Sequence, residues 1–129
     1  MADRAMLSKG EMEVARLLWA MAPATVRQIH EALPLDRQMD FATVQTYLRR
    51  LESKGYAKST LEGRVRIYSA RTKARTVIRE TVDDLVNRLF AGDTMPLMRH
   101  LIEDRGIDEK GLSELRELLD RLDAEGAQE

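Results

Sequence analysis

The spacing of apolar residues changes twice along this chain, and those changes leave few folds open. Up to Gly55 apolar positions recur at helical spacing; from Tyr56 to Ser69 the period is two; from Thr72 it is helical again. Three short helices, a β-hairpin and then further helices is the expected order, which makes the fold mainly α. Ser8-Lys9-Gly10-Glu11 is a capping box that opens a helix running to about Met21. Met12, Val14, Ala15, Leu18 and Trp19 form its core stripe, and Glu11, Glu13 and Arg16 are expected to face elsewhere. A second box, Thr25-Val26-Arg27-Gln28, opens a short helix through Ile29, Ala32 and Leu33 that Pro34 stops. After the polar connection Asp36-Arg37-Gln38-Met39, Asp40 is the expected N-cap of a third helix ending before Gly55.

The third helix has two distinct faces. Val44, Tyr47, Leu48 and Leu51 lie at i, i+3, i+4 and i+7 and share the core side. Ala42, Gln45, Thr46 and Arg49 lie opposite, with Arg50 and Lys54 on the flank. The hairpin is expected to pair Tyr56–Thr60 with Arg64–Ser69 around Leu61-Glu62-Gly63, turning Val65 and Ile67 inward and Arg64 and Arg66 outward. Beyond it, Val77, Ile78, Val82, Leu85, Val86, Leu89 and Phe90 give a broad apolar face ended by Gly92. Thr94 is the expected cap of a short helix and Asp108 of the last one. That last helix carries Leu112, Leu115, Leu119 and Leu122 as a short seam, and the tail from Asp123 is expected to be disordered.

Charge divides along the same line. The whole chain has 21 Lys and Arg against 22 Asp and Glu, yet residues 1–75 hold 14 basic and 8 acidic side chains while residues 76–129 hold 7 and 14. A near-neutral total thus conceals a basic half followed by an acidic one, and two tasks are implied. With no cysteine, the chain has no disulfide, thiolate metal site or cysteine nucleophile. His30 and His100 are far apart in sequence, no Gly-rich phosphate loop is present, and neither a metal site nor a cofactor is expected. The reading is therefore not an enzyme. The opening residues lack the apolar run of a signal peptide and no apolar stretch approaches a membrane span, so a cytoplasmic location without membrane insertion is expected.

A helix, a turn and a helix followed by a basic hairpin suit a DNA duplex, whose major groove of about 12 Å admits one helix. Arg49 is matched to guanine O6 and N7, Gln45 to adenine N6 and N7, and the methyl groups of Ala42 and Thr46 to a thymine methyl. With Thr43 these make up the expected base-reading set. Arg50, Lys54, Lys58, Arg64 and Arg66 are expected on phosphates, the last two from the hairpin acting as a wing. The alternative for the same surface is a winged-helix module that docks a protein without sequence-specific DNA binding. The acidic half is small for an independent core, since a unit of roughly 60 residues buries only about 60% of its unfolded surface. A second copy would cover its broad apolar faces, so Val82, Leu85, Leu89, Phe90, Leu97, Leu101, Leu112, Leu115, Leu119 and Leu122 are expected at a dimer interface. Domains are expected at residues 1–71, for DNA binding, and 72–129, for dimerisation.

Leu7-Ser8 with Glu11, Val14 and Trp19 begins a set of residues with a family pattern. Thr43-Val44-Gln45-Thr46, Arg50-Leu51 and Lys54-Gly55 continue it, followed by Tyr68, Leu89-Phe90-Ala91-Gly92-Asp93, and Glu114-Leu115 with Leu118. From about Leu7 to Leu122 the chain resembles the penicillinase and methicillin-resistance repressors, a family that also includes copper-responsive repressors. The resemblance implies a winged helix-turn-helix followed by a helical dimerisation region, and a homodimer that blocks transcription at inverted-repeat operators. In the lactam-responsive members a sensor-linked protease relieves repression by cutting an Asn-Phe pair. The matching positions here are His100-Leu101. The copper-responsive branch senses through a C-terminal cysteine motif that this chain cannot supply.

Overall fold

The computed structural model describes residues 5–36 and 39–127 of the 129-residue chain. The chain divides into two compact units, Met1–Thr81 and Val82–Glu129, and the division falls inside a helix. Among the described residues no helix is long and apolar enough to cross a membrane.

The first unit is built from α1 (Lys9–Met21), β1 (Ala24–Thr25), α2 (Val26–Ala32), α3 (Phe41–Ser53), β2 (Ala57–Glu62), β3 (Val65–Ala70) and the first turns of α4 (Ala74–Phe90). Both capping boxes form. The Ser8 hydroxyl accepts from the Glu11 N–H at 3.2 Å while the Ser8 N–H donates to Glu11 Oε1 at 2.8 Å, and Thr25 and Gln28 exchange the same pair of bonds. Val14, Ala15 and Leu18 from α1, Ile29 from α2, and Val44, Leu48 and Leu51 from α3 meet in one core, closed by Tyr56, Tyr68 and Val77. The Trp19 indole N–H donates to the Thr72 carbonyl at 3.1 Å, tying α1 to the segment that opens α4.

The sheet holds three antiparallel strands in the order β1-β3-β2, with Ala24 opposite Tyr68 and Ser59 also opposite Tyr68. Its hairpin is tighter than the sequence suggests. Glu62 pairs with Val65, so the loop is Gly63-Arg64, Gly63 takes a φ of +65°, and Arg64 sits at the tip instead of in a strand. Arg64 and Arg66 are exposed, as expected, but of the residues expected inward Ile67 is only half-buried and Val65 is 50% exposed; the buried residue of β3 is Tyr68. The hairpin runs past the edge of the helical core, so its inner end decides which face is covered and its tip has nothing to cover it.

The second unit contains the rest of α4, α5 (Met95–Arg99) continued by a π-helical turn over His100–Asp104, and α6 (Glu109–Ala127). Gly92, at φ +88°, follows the end of α4. Thr94 makes no side-chain capping bond; the Asp93 carboxylate instead accepts from the Met95 N–H at 3.1 Å. Asp108 does cap α6, accepting from the Gly111 N–H at 2.7 Å. That helix continues to Ala127, through the segment from Asp123 expected to be disordered.

Candidate nucleic-acid interface

The orientation of α3 is set by what it must bury. Asp40 accepts the Thr43 N–H at 2.8 Å and fixes the first turn, while Val44, Leu48 and Leu51 are fully buried. With that side committed to the core, Ala42, Thr46, Arg49 and Arg50 are exposed, and Thr43 and Gln45 half-buried. The Thr46 hydroxyl donates to the Ala42 carbonyl at 3.0 Å, so it is satisfied within the helix and the methyl remains as contact surface. The hydrogen bonds from Thr43 to Asp40 hold that carboxyl below its ordinary pKa, keeping the cap ionised.

Gln45 lines a concavity of about 680 Å³ between α3 and the hairpin, together with Arg27, Arg64 and Arg66. Among the described residues no carboxylate lines it, so three arginines give its lining a positive charge. On the other side of the helix Ala42, Thr43, Thr46 and Arg50 border a second, shallower depression. Arg50 carries its guanidinium over the Tyr47 ring, 5.8 Å from the centroid. Arg66 donates to the Ser59 hydroxyl at 2.9 Å, and that hydroxyl donates to Glu52 at 2.8 Å, linking both strands of the wing to the last turn of α3. Lys58 is exposed on β2. Burial first, and then the nearby Glu52 charge, raise the pKa of Tyr68 beneath this network.

Lys54 is the member of the expected phosphate set whose surroundings differ most. Its ammonium bonds Glu11 at 2.6 Å and the Met6 carbonyl at 3.1 Å, and its side chain is only 27% exposed. Glu11, expected on the solvent side of α1, is instead 1% exposed. Burial pushes its carboxyl up, but the hydrogen bond from Lys54, the Ser8 N–H and the Lys54 charge outweigh burial and hold the pKa below its ordinary value. The pair joins the start of α1 to the end of α3, and the Tyr56 hydroxyl adds a bond to the Ala5 carbonyl at 2.7 Å.

Two contributors escaped the sequence reading. Arg27 lies within the second capping box and lines the positive concavity, and Phe41, the first residue of α3, lies there 44% exposed. Neither the helical period nor the charge count distinguishes them; only the closeness of α2, α3 and the wing does. In the second unit, Val82, Leu89, Leu101, Leu112, Leu119 and Leu122 are exposed, and Leu85, Phe90, Leu97 and Leu115 half-buried. His100 and Leu101 are exposed in the π-helical turn, where the imidazole pairs with Asp104 at 3.0 Å.

The sequence pattern of the penicillinase repressor family matches residues 7–121. The transcriptional regulator BlaI of Mycobacterium tuberculosis is 33% identical over 119 residues, covering 89% of this chain and 85% of that one. The methicillin resistance regulatory protein MecI of Mammaliicoccus sciuri is 22% identical over 115 residues, covering 89% and 94%. The solution structure of monomeric Bacillus licheniformis BlaI in complex with the blaP half-operator is similar with a TM-score of 0.48 and 27% identity, over 57% of this chain and 90% of that one. The chain belongs to the penicillinase repressor family, a family of winged-helix transcriptional regulators.

Proposed function

We propose that this protein is a homodimeric repressor that reads an inverted-repeat DNA operator through α3 and its wing. The observation that carries this is the positive concavity beside the exposed face of α3, with Gln45 reaching it from the helix and Arg27, Arg64 and Arg66 from α2 and the wing. In this reading Ala42, Thr43, Gln45, Thr46 and Arg49 meet base edges, and Arg27, Arg50, Lys58, Arg64 and Arg66 meet phosphates. Lys54 acts from behind, fixing α3 to Glu11. The exposed leucines of the second unit support pairing with a second copy, which would set two recognition helices roughly 34 Å apart on successive major-groove faces.

Relief of repression by a sensor-linked protease would act at His100-Leu101. Those residues are helical, so the π-turn must open before a protease can extend the chain across its active site. A gel shift on genomic fragments at low salt tests the function. A retarded subset of fragments that survives competition by random duplex is expected; no retardation at protein concentrations far above the micromolar range contradicts it.

A further inference from the structure

The concavity between α3 and the wing is cationic and also apolar. Phe41 is 44% exposed, and Leu61 at 60% and Val65 at 50% line the same hollow among the arginines. One exposed apolar residue is ordinary; three sharing a hollow with Arg27, Arg64 and Arg66 form a contiguous patch that calls for a ligand with both negative charge and apolar edges. A DNA duplex offers both, phosphates on its backbone and thymine methyl groups on its major-groove floor.

Phe41 is held for such a contact. The His30 Nε2–H donates to the Met39 carbonyl at 3.0 Å, which anchors the imidazole across the turn of the helix-turn-helix. The Phe41 ring then packs against that imidazole with centroids 6.0 Å apart and planes at 73°, an arrangement aromatic pairs favour. Being the first residue of α3, it belongs to the end of a recognition helix that reaches base edges. Gln45 lies one turn further along and lines the same hollow.

We propose that Phe41 is a specificity-determining residue that packs on the methyl group of one thymine in each operator half-site. The inference rests on the DNA-reading function above and names a contact within it. The test takes the duplex most enriched by the full-length protein from a random-sequence pool and replaces each thymine in turn with deoxyuridine, which removes only the methyl. Wild-type protein should lose about fourfold in affinity at the Phe41 position, the equivalent of burying one methyl-sized group. Phe41→Ala should abolish that penalty and leave those at other thymines intact, whereas Phe41→Leu should keep part of it. Sequence-specific binding in which Phe41→Ala retains every deoxyuridine penalty overturns this proposal alone. Failure of the wild-type protein to enrich any sequence overturns the DNA-reading function and the proposal together.

Discussion

Arg49 and Arg64 are both exposed arginines, and the proposed DNA-reading function gives them opposite duties. Arg49 is on the exposed face of α3, and if α3 reads the operator as proposed, Arg49→Ala should cost about 1–3 kcal/mol on the selected operator and relax base preference at one position per half-site. Arg64 is at the tip of a two-residue loop, and its loss should weaken operator and random duplex alike. Fluorescence anisotropy on both duplexes checks the pair; equal losses for Arg49→Ala would remove it from the base-reading set. Glu11 belongs to stability. The folded protein holds its carboxylate ionised more tightly than the unfolded chain does, so that stability is whole above the unfolded pKa and drains as pH falls through the lower folded one. Urea unfolding at neutral and strongly acidic pH should therefore show a pH-dependent loss that shrinks in Glu11→Gln. Lys54→Met, which leaves a buried carboxylate without its cation, should cost about 3 kcal/mol, the low end for such pairs because Lys54 stays partly open to water.

At the scale of elements, α1, α2 and α3 were legible because each carries its own start signal and stripe: Ser8 with Glu11, Thr25 with Gln28, Asp40 ahead of Val44. The capping argument is testable at Asp40, where Asp40→Ala should lower unfolding stability by about 1 kcal/mol. What the sequence hid was non-local. β1 is two residues long, too short to show a period, and exists because β3 offers Tyr68 and Ile67 as partners to Ala24 and Thr25. That Tyr68, and not Val65 or Ile67, is the buried residue of β3 was not legible because alternation identifies two faces without saying which one meets the core. Glu11 looked like an ordinary surface acid on α1, and its cation lies 43 positions away at the end of α3. The residues that α3 leaves outside the core were readable from the helical wheel, whereas the places of Phe41 and Arg27 needed the assembled hollow.

Across the whole molecule, the separation of charge agrees with a division of labour. The basic excess sits in the half that carries the positive concavity, and the acidic excess in the half with exposed leucines. Leu119→Glu combined with Leu122→Glu should move the protein from dimer toward monomer in sedimentation, without loss of helix content, since both side chains are exposed within the chain. Operator affinity should fall about 10³- to 10⁵-fold between 50 and 200 mM salt if roughly 6–10 phosphates are neutralised. The most direct test of the central claim is the sequence that the wild-type protein selects from random duplex. The expected product is an inverted repeat whose half-site centres lie about one helical turn, or a multiple of it, apart. A pool that stays random after repeated rounds at moderate salt, or one enriched in a single unrepeated site, would contradict a dimer reading DNA through α3.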